Sequence, residues 1–210
     1  DVRLINNALN PVIDISTQTD DGGSLVLPGL PEDAQNYELA VFKNGYTSEQ
    51  TYDIVANFIP DADHSHLAAL VGEVTQKTFV IDLVSRLTIT FEEGGDDVAN
   101  YCEGAAPREI AGQGYILRGT KTIGVDGSAD PVYIYDYSGV SDVSGQAMHE
   151  DMVWDSYAFA LSDTTVCDIK ETSLVVPIVI GTGEDIDLTV KLVKHTPISL
   201  HVTVIDPDGL

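Results

Sequence analysis

The sequence predicts an all-β protein that is organised as a tandem array of β-sandwiches. Short segments that alternate apolar and polar residues recur along the chain, with glycine- and aspartate-rich turns roughly every 8–12 residues, which is typical of immunoglobulin-like sandwiches. A turn followed by a Tyr-x-apolar-Ala-aliphatic strand occurs twice, in residues 19–41 and 141–161. This repeat indicates copies of one β-unit. Helical periodicity is weak, and only residues 63–71 fit one or two helical turns.

The first unit is predicted to span residues 1–84. An Asp-Asp-Gly-Gly sequence at residues 20–23 predicts a hairpin turn, because glycine tolerates a positive φ and aspartate hydrogen-bonds to its own backbone. The return strand of this hairpin is expected at residues 24–27, and the last strand of the unit at residues 78–84. Compared with the second unit, the first lacks an opening strand.

The second unit is predicted to span residues 85–196. It opens on residues 87–91, which alternate strictly, and residues 142–145 repeat the turn of the first unit. Residues 197–210 have the pattern of another opening strand. They are either the first strand of a further unit, spare only because a longer chain was cut there, or a donor strand that completes the sheet of a neighbouring copy. The apolar residues of this strand are Ile198, Leu200, Val202 and Val204.

The chain is strongly acidic, with 34 Asp and Glu residues against 10 Lys and Arg residues and a net charge of −24. Such a surface repels nucleic acid and anionic membranes. No apolar run is long enough to span a bilayer, so no membrane insertion is expected. The expected partners are therefore neighbouring copies of the chain or adjacent domains of a longer chain. Because an initiator methionine is missing, we expect a fragment or a processed product.

Two cysteines, Cys102 and Cys167, lie in the second unit. An even number of cysteines in a secreted β-protein favours a disulfide, and the alternative is a pair of unpaired buried thiols. Their spacing fits neither a zinc motif nor a CxxC redox pair.

Two acidic segments are candidate calcium sites. In residues 61–66, carboxylate and imidazole donors alternate along what is expected to be one extended face, and residues 92–97 carry four carboxylates. Neither segment has the spacing of an EF-hand. The alternative is that both are solvated loops, and apart from calcium no cofactor is expected. The candidate ligands are Asp61, Asp63, His64, His66, Glu92, Glu93, Asp96 and Asp97.

The chain is predicted not to be an enzyme, because no residue lies in a frame such as GxSxG or HExxH. Trp154 is expected to pack beneath the sandwich, and the alternative is an exposed binding aromatic. Tyr133, Tyr135 and Tyr137 have a spacing of two residues and are expected to share one face. That face would be either a half-buried sandwich surface or a platform for a glycan or partner.

Motifs in both units resemble extracellular domains. Residues 19–30 and 37–46 carry the frame Thr-Asp-x-x-Gly-x-Leu, Pro-Gly-Leu, Tyr-x-Leu-x-Val and Lys-x-Gly-Tyr, which is similar to the carboxypeptidase regulatory-like domain, a transthyretin-like sandwich. Residues 117–124, 131–135 and 154–157 look like tandem Cna B-type domains of bacterial pilin-like surface proteins. The second unit departs from the first pattern, since Asp-Met-Val-Trp-Asp-Ser-Tyr replaces its Pro-Gly-Leu crossover.

This resemblance implies a stalk, spacer or binding module at the cell surface. We therefore expect a non-enzymatic, extracellular structural or adhesion module, such as a stalk or filament subunit that assembles by donor-strand addition. The alternatives are a glycan- or calcium-dependent ligand-binding module and an accessory domain of a secreted enzyme.

Overall fold

A computed structural model describes residues 1–95, 98–102, 109–162 and 166–195. These residues are almost entirely β, which confirms the predicted all-β class, and their helical structure is limited to a 3₁₀ turn at Val98–Asn100. The strands are β1 (Val2–Asn6), β2 (Ile13–Thr17), β3 (Asp33–Val41), β4 (Glu49–Gln50), β5 (Phe58–Pro60), β6 (Leu67–Ala69), β7 (Ser85–Glu93), β8 (Gly114–Arg118), β9 (Thr122–Asp126), β10 (Pro131–Tyr133), β11 (Asp136–Val140), β12 (Gln146–Met152), β13 (Asp155–Leu161), β14 (Cys167–Thr172), β15 (Ile178–Ile180) and β16 (Asp185–Lys194).

The first half of the chain forms a sheet in the order β2-β1-β3-β4, with β6 also paired to β3. Alternation places Val2, Leu4 and Tyr37 on its buried face. The expected strand at residues 24–27 is absent, because a turn at Pro28 and a positive-φ glycine follow it at once. Residues 78–84 form no regular strand either; Leu83 makes an isolated bridge with Tyr46, and backbone hydrogen bonds also join this segment to Gly45 and Thr47. Residues 63–71 contain β6 and a turn instead of a helix.

The second half has β-sandwich character. One sheet has the order β11-β8-β13-β15 and the other has the order β12-β7-β16-β14. Apolar side chains from both sheets form a common core, as alternation in each strand requires. Members of this core include Leu87, Ile89, Phe91, Tyr115, Leu117, Tyr157, Phe159, Ile178, Ile180, Leu188, Val190 and Leu192. The first half has no comparable pair of regular sheets within the described residues, so tandem immunoglobulin-like sandwiches stay a prediction.

The parallel pairing of β7 with β16 distinguishes this second half from a purely antiparallel sandwich. Eight residue pairs are in register, from Arg86 beside Asp185 to Glu93 beside Leu192. β7 is the first strand of this half and β16 is the last strand that the structure describes. The chain therefore enters β7 at one end of this ladder of paired residues and leaves β16 at the opposite end.

The two copies of the repeated phrase have the same local structure. Asp20 and Asp142 each accept two backbone hydrogen bonds through Oδ1, from residues two and four positions later, at 2.8–2.9 Å. Each turn ends in a glycine at a φ of +77° or +71°. The tyrosine of each copy is buried and donates its hydroxyl to an upstream backbone carbonyl at 2.7 Å, Tyr37 to Pro31 and Tyr157 to Val153. Backbone turn chemistry therefore accounts for these aspartates.

A disulfide joins Cys102 to Cys167, as predicted, with their Cα atoms 5.4 Å apart. Both half-cystines are buried at one end of the sandwich core. A disulfide is typical of proteins in oxidising environments. None of the helical segments in the described ranges is long and apolar enough to cross a membrane. The predicted donor strand, with Ile198, Leu200, Val202 and Val204, lies outside the described residues.

Candidate functional site at the junction of the two halves

The two halves share a three-stranded sheet. The β9–β10 hairpin extends from the second half, and β9 pairs antiparallel with β5 of the first half. Gly124 lies opposite Pro60, and a Cβ atom at Gly124 would lie only 2.2 Å from the carbonyl oxygen of Ile59. The close approach of the two backbones therefore requires glycine at this position.

Asp155 fixes the base of this hairpin. It is buried, and its carboxylate accepts hydrogen bonds from the amide and hydroxyl of Thr120 and from the amides of Lys121 and Ser156. Burial alone would raise the pKa of Asp155, but these hydrogen bonds outweigh burial and lower it below its ordinary value. Gly119 permits the approach, because a Cβ there would lie 2.5 Å from the carboxylate.

The carboxylate thereby positions Lys121 against Trp154. The ammonium group of Lys121 lies 3.5 Å from the centroid of the indole ring, within cation–π range. Trp154 is 48% exposed, so the expectation that it packs beneath the sandwich is wrong. The reason is that Asp155 and Tyr157 point into the molecule from β13, while Trp154 precedes that strand in the crossover and points outwards.

A cleft of about 420 Å³ separates this aromatic from the first half. Glu49 and His64 line it from the first half, and Lys121 and Trp154 line it from the second. Burial raises the pKa of Glu49 and lowers that of Lys121, so in each case the charged form is disfavoured. Within the described residues, no hydrogen bond or ion pair joins the Lys121 ammonium to a partner. The ion-pair partner of Glu49 is His64, at 3.9 Å, and the charges of Lys121 and Lys77 also act on its carboxylate. Two groups of opposite charge are thus available to a ligand. Further lining residues are Thr47, Asp63, Lys77, Phe79 and Asp82.

The candidate cation ligands of residues 61–66 do not share an extended face, because residues 62–64 form a turn. Asp61 accepts hydrogen bonds from the backbone amides of Asp63 and His64 and lies 2.7 Å from Nδ1 of His64. The side chain of His64 therefore bridges Asp61 and Glu49. Of this segment, Asp63 and His64 line the cleft, and His66 donates its backbone amide to Tyr52.

The second candidate cation site is only partly described. Glu93 accepts a hydrogen bond from the amide of Cys102, and Glu92 pairs through its backbone with Glu109. Asp96 and Asp97 lie outside the described residues. Among the residues that the structure places, no group of three or more His, Cys, Asp or Glu side chains is arranged to hold a metal ion. Calcium binding therefore stays a prediction.

The three tyrosines do not lie on one strand, because Tyr133 ends β10, Tyr135 lies in the short connection that follows and Tyr137 lies in β11. Tyr133 packs under Arg118. The hydroxyl of Tyr135 lies 2.5 Å from Nδ1 of the buried His149, whose Nε2 lies 2.8 Å from the hydroxyl of Tyr115. Burial lowers the pKa of His149. The contacts of Tyr135 and Tyr115 with His149 thus form a polar network inside the sandwich, whereas Tyr137 packs against the same imidazole ring and remains exposed.

Comparisons with known proteins do not assign a family. No family model matches the chain, and no curated protein matches it. Among solved structures, the chain is similar to the Bacillus anthracis TIE protein, at 14% sequence identity and a TM-score of 0.36. The match covers 92% of this chain, which spans only 30% of that protein's length. A likeness at this level carries no argument about fold detail or function.

Proposed function

We propose that the chain is a non-enzymatic, load-bearing module of an extracellular or cell-surface protein, such as a stalk or filament subunit. Its resemblance to carboxypeptidase regulatory-like and Cna B-type domains is part of this proposal. The disulfide supports an oxidising compartment. The acidic surface supports a module that does not bind nucleic acid or anionic membranes.

The parallel β7–β16 ladder is the observation that carries the proposal. When the protein is pulled, force from the first half acts on β7 at Ser85. Force from the C-terminal side acts on β16 at Lys194. Because the strands are parallel, these two points lie at opposite ends of eight paired residues. All hydrogen bonds of the ladder are then loaded at once, along the strand direction. In an antiparallel pair pulled from one end, the bonds would break one after another.

The shared sheet at the junction supports the same role. β5 is hydrogen-bonded to β9, and further backbone bonds join Asp61 to Ile123 and Gly127 to Asn57, each at 3.1 Å. Two halves that share a sheet cannot bend freely about a linker. We therefore infer a stiff joint, as a spacer requires.

The ladder can be tested by pulling the full chain in two directions. Pulling handles are attached through azide-bearing residues at exposed positions. Force applied between positions 86 and 195 shears β7 against β16, whereas force applied between positions 86 and 150 peels β12 from β7 at one end. We expect the first rupture force in magnetic or optical tweezers to be several-fold higher for the first pair, since forced unfolding depends on the barrier along the pulling direction. Equal rupture forces for the two pairs would contradict a load-bearing ladder.

A second candidate function is binding of a small neutral saccharide in the junction cleft. The specific observation is that Lys121, Glu49 and Trp154 face one cleft whose volume lies in the usual range for ligand sites. Saccharide hydroxyl groups donate to a carboxylate and accept from an ammonium, and their apolar faces pack on indole rings. The net charge of −24 disfavours anionic ligands.

Trp154 is the only tryptophan of the chain, so its fluorescence reports on this cleft directly. A panel of neutral mono- and disaccharides, with and without calcium, is titrated while the emission is followed. If a sugar binds, Lys121→Ala and Glu49→Gln should each weaken it about tenfold or more, as expected for loss of a charged hydrogen bond. Lys43→Ala is the matched control, because Lys43 packs on Tyr46 and does not line the cleft. An unchanged emission across the panel would reject this candidate.

A further inference from the structure

The disulfide connects the segments on the two sides of β16, the last strand of the load-bearing ladder. Cys102 follows β7, and Cys167 is the first residue of β14. β7 and β14 lie on either side of β16, in the sheet order β12-β7-β16-β14. The sulfur–sulfur bond therefore ties β14 to the segment that follows β7, and these two strands are the direct neighbours of β16.

This connection creates a short covalent route through the second half. Tension can pass from β7 through the disulfide into β14 and on to β16, without passing through the intervening chain. That chain has a sequence separation of 65 residues between the cysteines and contains β8 to β13. It also contains the β9–β10 hairpin, Lys121 and Trp154, and hence one wall of the junction cleft.

We propose that the Cys102–Cys167 disulfide is a mechanical stop, which limits extension once the ladder has failed and keeps the β8–β13 segment free of tension. This inference rests on the load-bearing role proposed above. Without the disulfide, the same failure would stretch the whole segment and pull the hairpin away from β5. With it, the segment remains a closed loop that can dock again when the load falls, because its loop-closure entropy has already been lost.

Because the disulfide is buried, its reduction is expected to depend on whether the protein is under load. Both half-cystines are less than 10% exposed, so a thiolate reaches them only after the ladder has opened. A dithiol reductant then attacks one sulfur, forms a mixed disulfide and releases the other cysteine as a thiolate. Its second thiol closes the cyclic oxidised reductant and frees the first cysteine. The stop is thus expected to resist reductant at rest and to become sensitive to it under load.

The test measures extension in magnetic tweezers with the full chain held at its two ends. Upon unfolding, the reduced protein should extend further than the oxidised protein by about 21–23 nm, which is the contour length of the 65-residue separation at ~3.3–3.6 Å per residue. In dithiothreitol, a wild-type molecule held below its rupture force should keep the short step. A molecule held extended should gain the additional length in a separate event.

The Cys102→Ala/Cys167→Ala variant is the matched control, which should always give the long step and should not respond to dithiothreitol. If that variant does not fold, repeated pulls on one wild-type molecule before and after reduction give the same comparison. Equal extension of oxidised and reduced molecules, or equally fast reduction with and without load, would overturn the inference. A low rupture force combined with the expected difference in length would instead reject only the load-bearing ladder.

Discussion

Replacing Asp155 by alanine is expected to lower the free energy of unfolding by about 3–4 kcal/mol, near the upper end for single substitutions. The substitution leaves the backbone amides of Thr120 and Lys121 without their shared acceptor in a buried site. It also removes the contact that holds the chain just before β9. We therefore expect the fluorescence of Trp154 to change together with stability, because the position of Lys121 over its ring depends on the same carboxylate.

Urea denaturation of the two proteins measures this loss. Asp136→Ala is a suitable control, because Asp136 pairs with Arg118 on an exposed part of β11, where ion pairs contribute about 0–1 kcal/mol. The pH dependence adds a second check. Since the pKa of Asp155 is lower in the folded chain than in the unfolded chain, its contribution is present at neutral pH and is lost as the pH falls through the folded-state pKa. If Asp155→Ala lowers the free energy of unfolding no more than Asp136→Ala does, this role is contradicted. It is also contradicted if the loss for Asp155→Ala is the same in acid as at neutral pH.

Features that depend on neighbouring residues could be predicted from the sequence. The turns at Asp20 and Asp142 were predictable because the side chain and the glycine that close each turn lie within five residues. The strict alternation that begins at Leu87 predicted β7 because a strand with one buried face imposes that period. The disulfide could also be predicted, since the chain offers only one possible pair of cysteines.

The junction could not be predicted, because its parts are far apart in sequence. Glu49 and Lys121 become neighbours only when β5 pairs with β9, and neither stands in a motif. The cation-site hypothesis did include His64, which lines the cleft, but it assumed an extended segment where the chain turns. The prediction that Trp154 is buried was wrong for a related reason. Composition favours burial of a lone tryptophan, whereas its position one residue before β13 directs it outwards.

The junction sheet should be the part of the molecule most sensitive to a single added methyl group. In Gly124→Ala, the new Cβ would lie 2.2 Å from the carbonyl oxygen of Ile59 and 2.7 Å from Cα of Pro60. Both contacts are with backbone, which cannot rotate away as a side chain can. The φ of +151° adds strain for any residue other than glycine. We expect a loss of about 2–4 kcal/mol, through separation of β5 from β9.

Hydrogen exchange locates this effect, because the amides of Asp61, Val125 and Gly127 should lose protection while those of β8 and β13 in the sandwich core keep it. Gly23→Ala separates backbone strain from the steric clash. Gly23 also has a positive φ, at +77°, but no atom lies within 4 Å of the added Cβ, so that variant should lose only about 1–2 kcal/mol. If Gly124→Ala exchanges like the wild type at these amides, the two halves are not held together by this sheet. The stiff joint on which a spacer role depends would then have to be abandoned.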